Sequence, residues 1–350
     1  MSSVNTFGIP LPEREVLLFG GAGIYGYIIF QEMAILWKEK LFPKTPSIVV
    51  CVSSGFPSGL LAYCGVDINK IIDDPSLKNI SLIKNSVVKG IYNVLTTGFY
   101  GDFAPRVSFL DDLLKVINQE TNLNLRPEST LSELLKKTGR LLIVPTVDID
   151  TQGVFYLSAY TTPDVTLLDA ILATTGYLPY IPPASVKMPN GRIARLADGG
   201  YNITYPWGVI DPNYRFYIEK DPYYKGPSLE KYFRNVNNIL GFRFVGAETA
   251  GIRRDPEVKK YFSVPIIDIL SKINAVQFSS KDSLMPEKYL NPTITTLGFF
   301  IPGPIFTLTE ELEERMQVVA NDTIDRSLTL YYKSKYTSVD NLPLDPHYQK

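Results

Sequence analysis

Histidine is almost absent. Among 350 residues there is one, His347, in a polar stretch close to the C-terminal end. That excludes a histidine-built metal centre, and a serine nucleophile in the body of the chain must find its base among other residue types. Cysteine is nearly as scarce. Cys51 and Cys64 are the two present, too few for a disulfide framework or a zinc cluster, and they read as buried free thiols. Charge of one sign is missing too. Lys plus Arg number 35 and Asp plus Glu 36, a net charge of −1, so no basic footprint points to nucleic acid. No apolar run approaches the ~20 residues that span a bilayer. The most apolar stretch, 23–37, is interrupted by Gln31 and Glu32. The first residues carry neither a charged n-region nor an apolar h-region, so no secretory signal is expected. An intracellular, cytosolic protein without a transmembrane helix is the expectation.

What is present is a core. The hydrophobic fraction is 45%, as in globular proteins. Short apolar runs at 15–19, 48–52, 141–148, 154–159, 238–245 and 293–300 read as strands. They alternate with helical patterns over 27–40, 55–63, 77–95, 107–119, 129–139, 167–175, 266–278 and 307–332. Thr307 and Glu310 form a candidate capping box for the last of these. This alternation predicts an α/β fold with a mainly parallel central sheet covered on both faces. Residues 1–14 read as a flexible leader, 15–332 as a single domain and 333–350 as a polar tail. No internal repeat or linker divides the chain.

Residues 48–65 run Ile-Val-Val-Cys-Val-Ser-Ser-Gly-Phe-Pro-Ser-Gly-Leu-Leu-Ala-Tyr-Cys-Gly. A buried-type strand enters a tight turn at Ser53, and a helix begins at once. That is the geometry of a nucleophile elbow, in which the turn lifts a hydroxyl off the sheet and aims a helix N-terminus at it. Upstream, Gly21-Ala-Gly-Ile-Tyr-Gly26 also joins a strand to a helix. It fits a dinucleotide-binding G-x-G-x-x-G. The second strand ends Val-Cys-Val-Ser53, however, without the acidic residue that would hold a ribose. The same exposed amides suit an oxyanion. For the base, Asp148 and Asp150 read as turn residues and Asp164 as a cap. Asp198 ends an apolar approach and is followed by Gly199 and Gly200, which allow close backbone packing.

Glycine loop, Cys51-Val-Ser53-Ser-Gly55 and Asp198-Gly199-Gly200, in that order, resemble the patatin-like acyl hydrolases. The likeness extends through 130–159, 162–183 and 293–331, roughly residues 15–332. It implies a three-layer α/β/α fold and a Ser–Asp dyad without histidine. In that dyad Ser53 is the nucleophile and Asp198 the base. Gly21, Ala22, Gly23 and Ser54 supply oxyanion-hole amides, and Gly26, Gly55, Gly199 and Gly200 support the motifs. Cys51 stands where the family has glycine, and Tyr25 where it usually has Arg or Lys. The resemblance further implies a phospholipid or other acyl-ester substrate, transient contact with a membrane surface, no cofactor, no metal and no calcium requirement. Segments 66–130 and 201–236 are expected to build the acyl channel and the rim. Two other classes stay open: a non-catalytic lipid- or protein-binding member, and a nucleotide-dependent enzyme using 21–26.

Overall fold

The computed structural model describes residues 11–72, 74, 101–178, 180–245, 285–286, 293–297 and 310–336. The helices expected over 77–95 and 266–278, and the capping box at Thr307, lie outside the described residues. The strands are β1 (Val16–Phe19), β2 (Ile48–Cys51), β3 (Leu141–Asp148), β4 (Val154–Ser158), β5 (Ala184–Lys187), β6 (Ile193–Asp198), β7 (Ile239–Val245) and β8 (Thr293–Leu297). The helices are α1 (Gly26–Lys38), α2 (Gly55–Cys64), α3 (Ile68–Ile71), α4 (Ala104–Glu120), α5 (Leu131–Thr138), α6 (Leu167–Thr174), α7 (Trp207–Ile210), α8 (Glu230–Phe233) and α9 (Glu310–Tyr336).

The eight strands among the described residues form one sheet. Strands β3, β2, β1, β7 and β8 run parallel in that order, and β4, β5 and β6 add antiparallel pairs. The protein is thus α/β with a mainly parallel central sheet. The β5–β6 hairpin is not among the strands expected from sequence. Its signal is short: Ala184 and Val186 are buried while Ser185 and Lys187 are exposed, and Asn190-Gly191 marks the turn.

Strict alternation along the strands sorts the core into two clusters. Leu17, Phe19, Val49, Cys51, Leu142, Val144, Leu240 and Phe242 face the long helices. Val16, Leu18, Ile48, Val50, Leu141, Ile143 and Ile239 face the other way. Helix α1 is buried on nearly every side, the signature of a helix enclosed between layers. Helix α9 closes over it with Leu312, Met316, Ala320 and Ile324, a ridge of four-residue spacing. Its Glu313 accepts the Tyr27 hydroxyl at 2.9 Å. The opposite layer is made of short helical turns and loops. There Ile203, Tyr205, Trp207, Ile210, Ile218, Leu229 and Phe233 cover the sheet. Helix α5 starts as its sequence predicts, with a capping box between Thr130 and Glu133, and stops at Gly139 in the left-handed region.

Part of the segment read as leader is packed. Leu11 is buried in a short turn, and the Arg14 guanidinium donates to the Ile239 carbonyl at 2.6 Å. At the other end α9 runs to Tyr336, past the expected end at 332.

One buried carboxyl stands apart. Glu32 on α1 accepts a hydrogen bond from the Thr296 hydroxyl of β8, and its second oxygen is buried without a partner among the described residues. Burial pushes its pKa up to about 8, against the Thr296 hydrogen bond, which lowers it. Between the ordinary carboxylate range and pH 8 the folded state holds a proton that the unfolded state releases. Stability therefore falls as pH rises through that window and levels off above it. Glu32→Gln is expected to remove one proton's share of that slope, at most about 1.4 kcal/mol per pH unit. Urea denaturation at a series of pH values checks this. An unchanged slope in the variant contradicts the burial argument.

Candidate active site

The sheet register brings Ser53 and Asp198 together. Strand β3 pairs with β2 over Leu141–Ile143 and with β6 over Thr146–Asp148. Ile143 is shared by β2 and β4, and Thr146 by β4 and β6. Since β4 fills one edge at both points, β2 and β6 lie end to end along the other. Carrying the Val50↔Ile143 register on by three residues puts Ser53 level with Thr146, and Thr146 is the partner of Asp198.

At that point Ser53 has φ 54°, an uncommon conformation for a residue with a side chain. Several bonds fix it. The Ser53 N–H donates to the Thr174 hydroxyl at 2.8 Å. The Gly55 N–H closes on Val52 at 2.8 Å and the Phe56 N–H on Ser53 at 2.9 Å. The Ser53 hydroxyl then donates to Asp198 Oδ2 at 2.5 Å. Asp198 Oδ1 accepts the Gly200 N–H at 2.7 Å, and the Asp198 N–H donates to the Gly176 carbonyl at 3.0 Å. Gly199 is required by contact: a Cβ there would lie 2.3 Å from the Pro145 carbonyl oxygen of β3. Asp198 is buried. Its pKa is raised to about 7 by desolvation, against the Ser53 and Gly200 hydrogen bonds, which lower it.

The glycine loop lies alongside, with Gly26 opening α1 and Gly55 opening α2. Its amides are not equivalent. The Gly21 N–H is committed to the Thr204 carbonyl at 2.8 Å. The Ala22 N–H is committed to the Ser54 hydroxyl at 2.9 Å, which ties loop to elbow. The Gly23 and Ser54 amides donate to nothing among the described residues, and both residues line an open cleft. That cleft runs along α2 and is walled by Phe30, Leu61, Phe109, Leu113 and Ile171. The space between its walls, counted out through the mouth into open solvent, is about 570 Å³. Of the two segments expected to build a channel, α4 contributes to this wall, and residues 75–100 lie outside the described residues. The buried apolar residues of 203–233 instead pack on the opposite face of the sheet. Among the described residues no group of three or more His, Cys, Asp or Glu is placed to hold a metal ion.

Three residues of this arrangement escaped the sequence reading. Thr174 and Gly176, which hold the backbones of Ser53 and Asp198, sit in the Ala-Thr-Thr-Gly end of α6, read only as a helix stop. Arg106 is fully buried. Its guanidinium donates to the Leu172 carbonyl at 2.8 Å, the Thr175 hydroxyl at 3.3 Å and the Pro182 carbonyl at 3.4 Å. Burial lowers its pKa to about 9. A cation is favoured at the carbonyl end of a helix, and Arg106 supports the segment that carries Thr174. Its signal was spacing, since Arg106, Phe109, Leu110 and Leu113 share one helical stripe.

Tyr25 and Cys51, which differ from the patatin-like pattern that the sequence resembles, both find room. Tyr25 stacks on Phe244 with centroids 4.4 Å apart. Cys51 is buried facing α2, where Gly59 presents no side chain. A Cβ on Gly59 would meet Cys51 Cβ at 2.6 Å and Sγ at 3.1 Å. Gly59→Ala is therefore expected to cost about 1–3 kcal/mol by overpacking, although alanine in an open helix gains about 1 kcal/mol over glycine. In a Cys51→Gly background the same change is expected to lose its penalty. Denaturant midpoints of the four proteins in the cycle test this, and additivity would remove the contact from the account.

No protein-family model matches the sequence, and no curated protein matches it. Among the solved structures that are similar are two at low identity. VipD from Legionella pneumophila aligns with a TM-score of 0.49 and 13% identity, over 91% of this chain and 67% of that one. The type III effector protein ExoU aligns with a TM-score of 0.39 and 13% identity, over 93% of this chain and 54% of that one. The chain thus spans about half the length of the second.

Proposed function

We propose that the protein is a serine acyl hydrolase of the patatin-like kind, cleaving acyl-ester lipids, phospholipids foremost, through a Ser53–Asp198 dyad. The observation that carries the reading is the 2.5 Å hydrogen bond from Ser53, held at positive φ, to a buried carboxylate. The neighbouring apolar cleft suits an acyl chain. No helix among the described residues is long and apolar enough to cross a membrane, and the proposed encounter with lipid is at a membrane surface.

In the proposed reaction the Ser53 proton passes to Asp198 Oδ2 as Oγ bonds to the ester carbonyl carbon. The carbonyl electron pair moves onto oxygen, and the Gly23 and Ser54 amides stabilise the resulting oxyanion. Of the four amides expected from the sequence these two serve in the proposed role, because those of Gly21 and Ala22 are already committed. Collapse expels the alcohol, which takes the proton from Asp198 and leaves an acyl-Ser53 ester. Water then gives a proton to Asp198, attacks that ester and releases the fatty acid, and Ser53 recovers its proton. An ordinary aspartate is a weak base at neutral pH. Raising the Asp198 pKa to about 7 brings it close to the working pH.

Fluorophosphonate labelling of the full chain, with fatty-acid release from phospholipid vesicles, tests the proposal. Ser53→Ala is expected to lose both. Asp198→Asn is expected to lower turnover by about 10²–10⁴-fold. A folded protein that takes no label and releases no fatty acid would leave the fold with a lipid-binding role instead. The sign of the pH dependence follows from the proton: only ionised Asp198 accepts it. The kcat/KM for an acyl ester is therefore expected to rise with pH and level off above about 7. A profile that stays flat over about two pH units either side of that value argues against Asp198 as the base.

A further inference from the structure

The N-cap Ser54 and the α2 residues Pro57, Ser58 and Leu61 line the cleft along one helical stripe. Ser58 is the exception in chemistry. It is 3% exposed. A serine inside a helix commonly bonds back to the carbonyl four residues earlier, but the Ser58 hydroxyl makes no hydrogen bond among the described residues. Each of the other hydroxyls on this wall already has a partner. Ser54 Oγ accepts the Ala22 N–H, and Thr175 Oγ1 donates to the Ile171 carbonyl at 2.6 Å. An unbranched hydrocarbon filling the cleft would strip Ser58 of water and return nothing, a cost carried by any buried unpaired hydroxyl.

We propose that Ser58 is a specificity-determining residue. The cleft takes an acyl chain that carries an oxygen substituent (hydroxyl, keto or epoxide), and Ser58 hydrogen-bonds that oxygen. The proposal rests on the reading of Ser53 as the acyl-accepting residue. Ser58 lies one turn beyond Ser54, roughly 6 Å along the helix axis. With bonds of about 1.5 Å, the substituent falls roughly four to six carbons from the ester carbonyl.

Calorimetric titration of the full chain with decanoate, and with decanoate bearing a hydroxyl on about the fifth carbon, tests this without requiring turnover. The hydroxy acid is expected to bind about 3- to 10-fold more tightly, the worth of one neutral hydrogen bond. Ser58→Ala and Ser58→Val are expected to erase the difference, as is moving the hydroxyl to the terminal carbon. Equal affinity for the two acids in the unaltered protein overturns the proposal. So does a preference that survives both substitutions, or no binding of either acid. Fluorophosphonate labelling reads the Ser53 assignment separately. A protein that takes no label but prefers the hydroxy acid loses that assignment and keeps Ser58. A labelled protein without the preference does the reverse.

Discussion

Strand β3 serves two partners along a single edge. It pairs with β2 as far as Ile143 and then, from Thr146, with β6 running the other way. Between those pairings β2 must leave the sheet, and it does so through the turn that carries Ser53. The hydrogen bond from Ser53 to Asp198 is a consequence of that handover. A shift of either register by one residue would send one of the two side chains to the opposite face of the sheet. The long apolar match of β3 to the core on both faces therefore fixes the approach of Ser53 to Asp198 as well as the fold.

A second constraint comes from the end of α6. Thr174 accepts the Ser53 amide and Gly176 accepts the Asp198 amide, so one short segment grips the backbones of both proposed reacting residues. Arg106 supports it from beneath, a buried cation spread over carbonyl and hydroxyl oxygens. The same dryness acts on Asp198, where burial works against ionisation and the hydrogen bonds from Ser53 and Gly200 work for it. The carboxyl is thereby poised between its two forms.

Much of this was legible in the chain. The parallel strands were apolar runs, and α5 announced both its ends. Ser53 and Asp198 stood out because each closes a strand and is followed by small residues. What sequence could not supply was any partner fixed by tertiary approach. Thr174 resembles any threonine at a helix end until α6 is seen against the elbow. The glycine loop offered three consecutive amides, and only the fold shows Gly21 and Ala22 already engaged. The aromatic stretch 201–236 had a channel's composition. Composition is silent on which face of a sheet a segment covers, and its buried residues lie on the far one.

The contact between Cys51 and Gly59 bears on how such elbows are recognised. The strand before the turn and the helix after it approach so closely that one side chain fits between them and two do not. The vacancy belongs to the contact rather than to a position in the chain, so either partner can provide it. Here the helix does, eight residues downstream of the strand position where a glycine is customary (59 against 51). A motif written as a fixed string treats that glycine as missing. Written as a spatial requirement, it asks for one small residue at the contact, and here Gly59 supplies it.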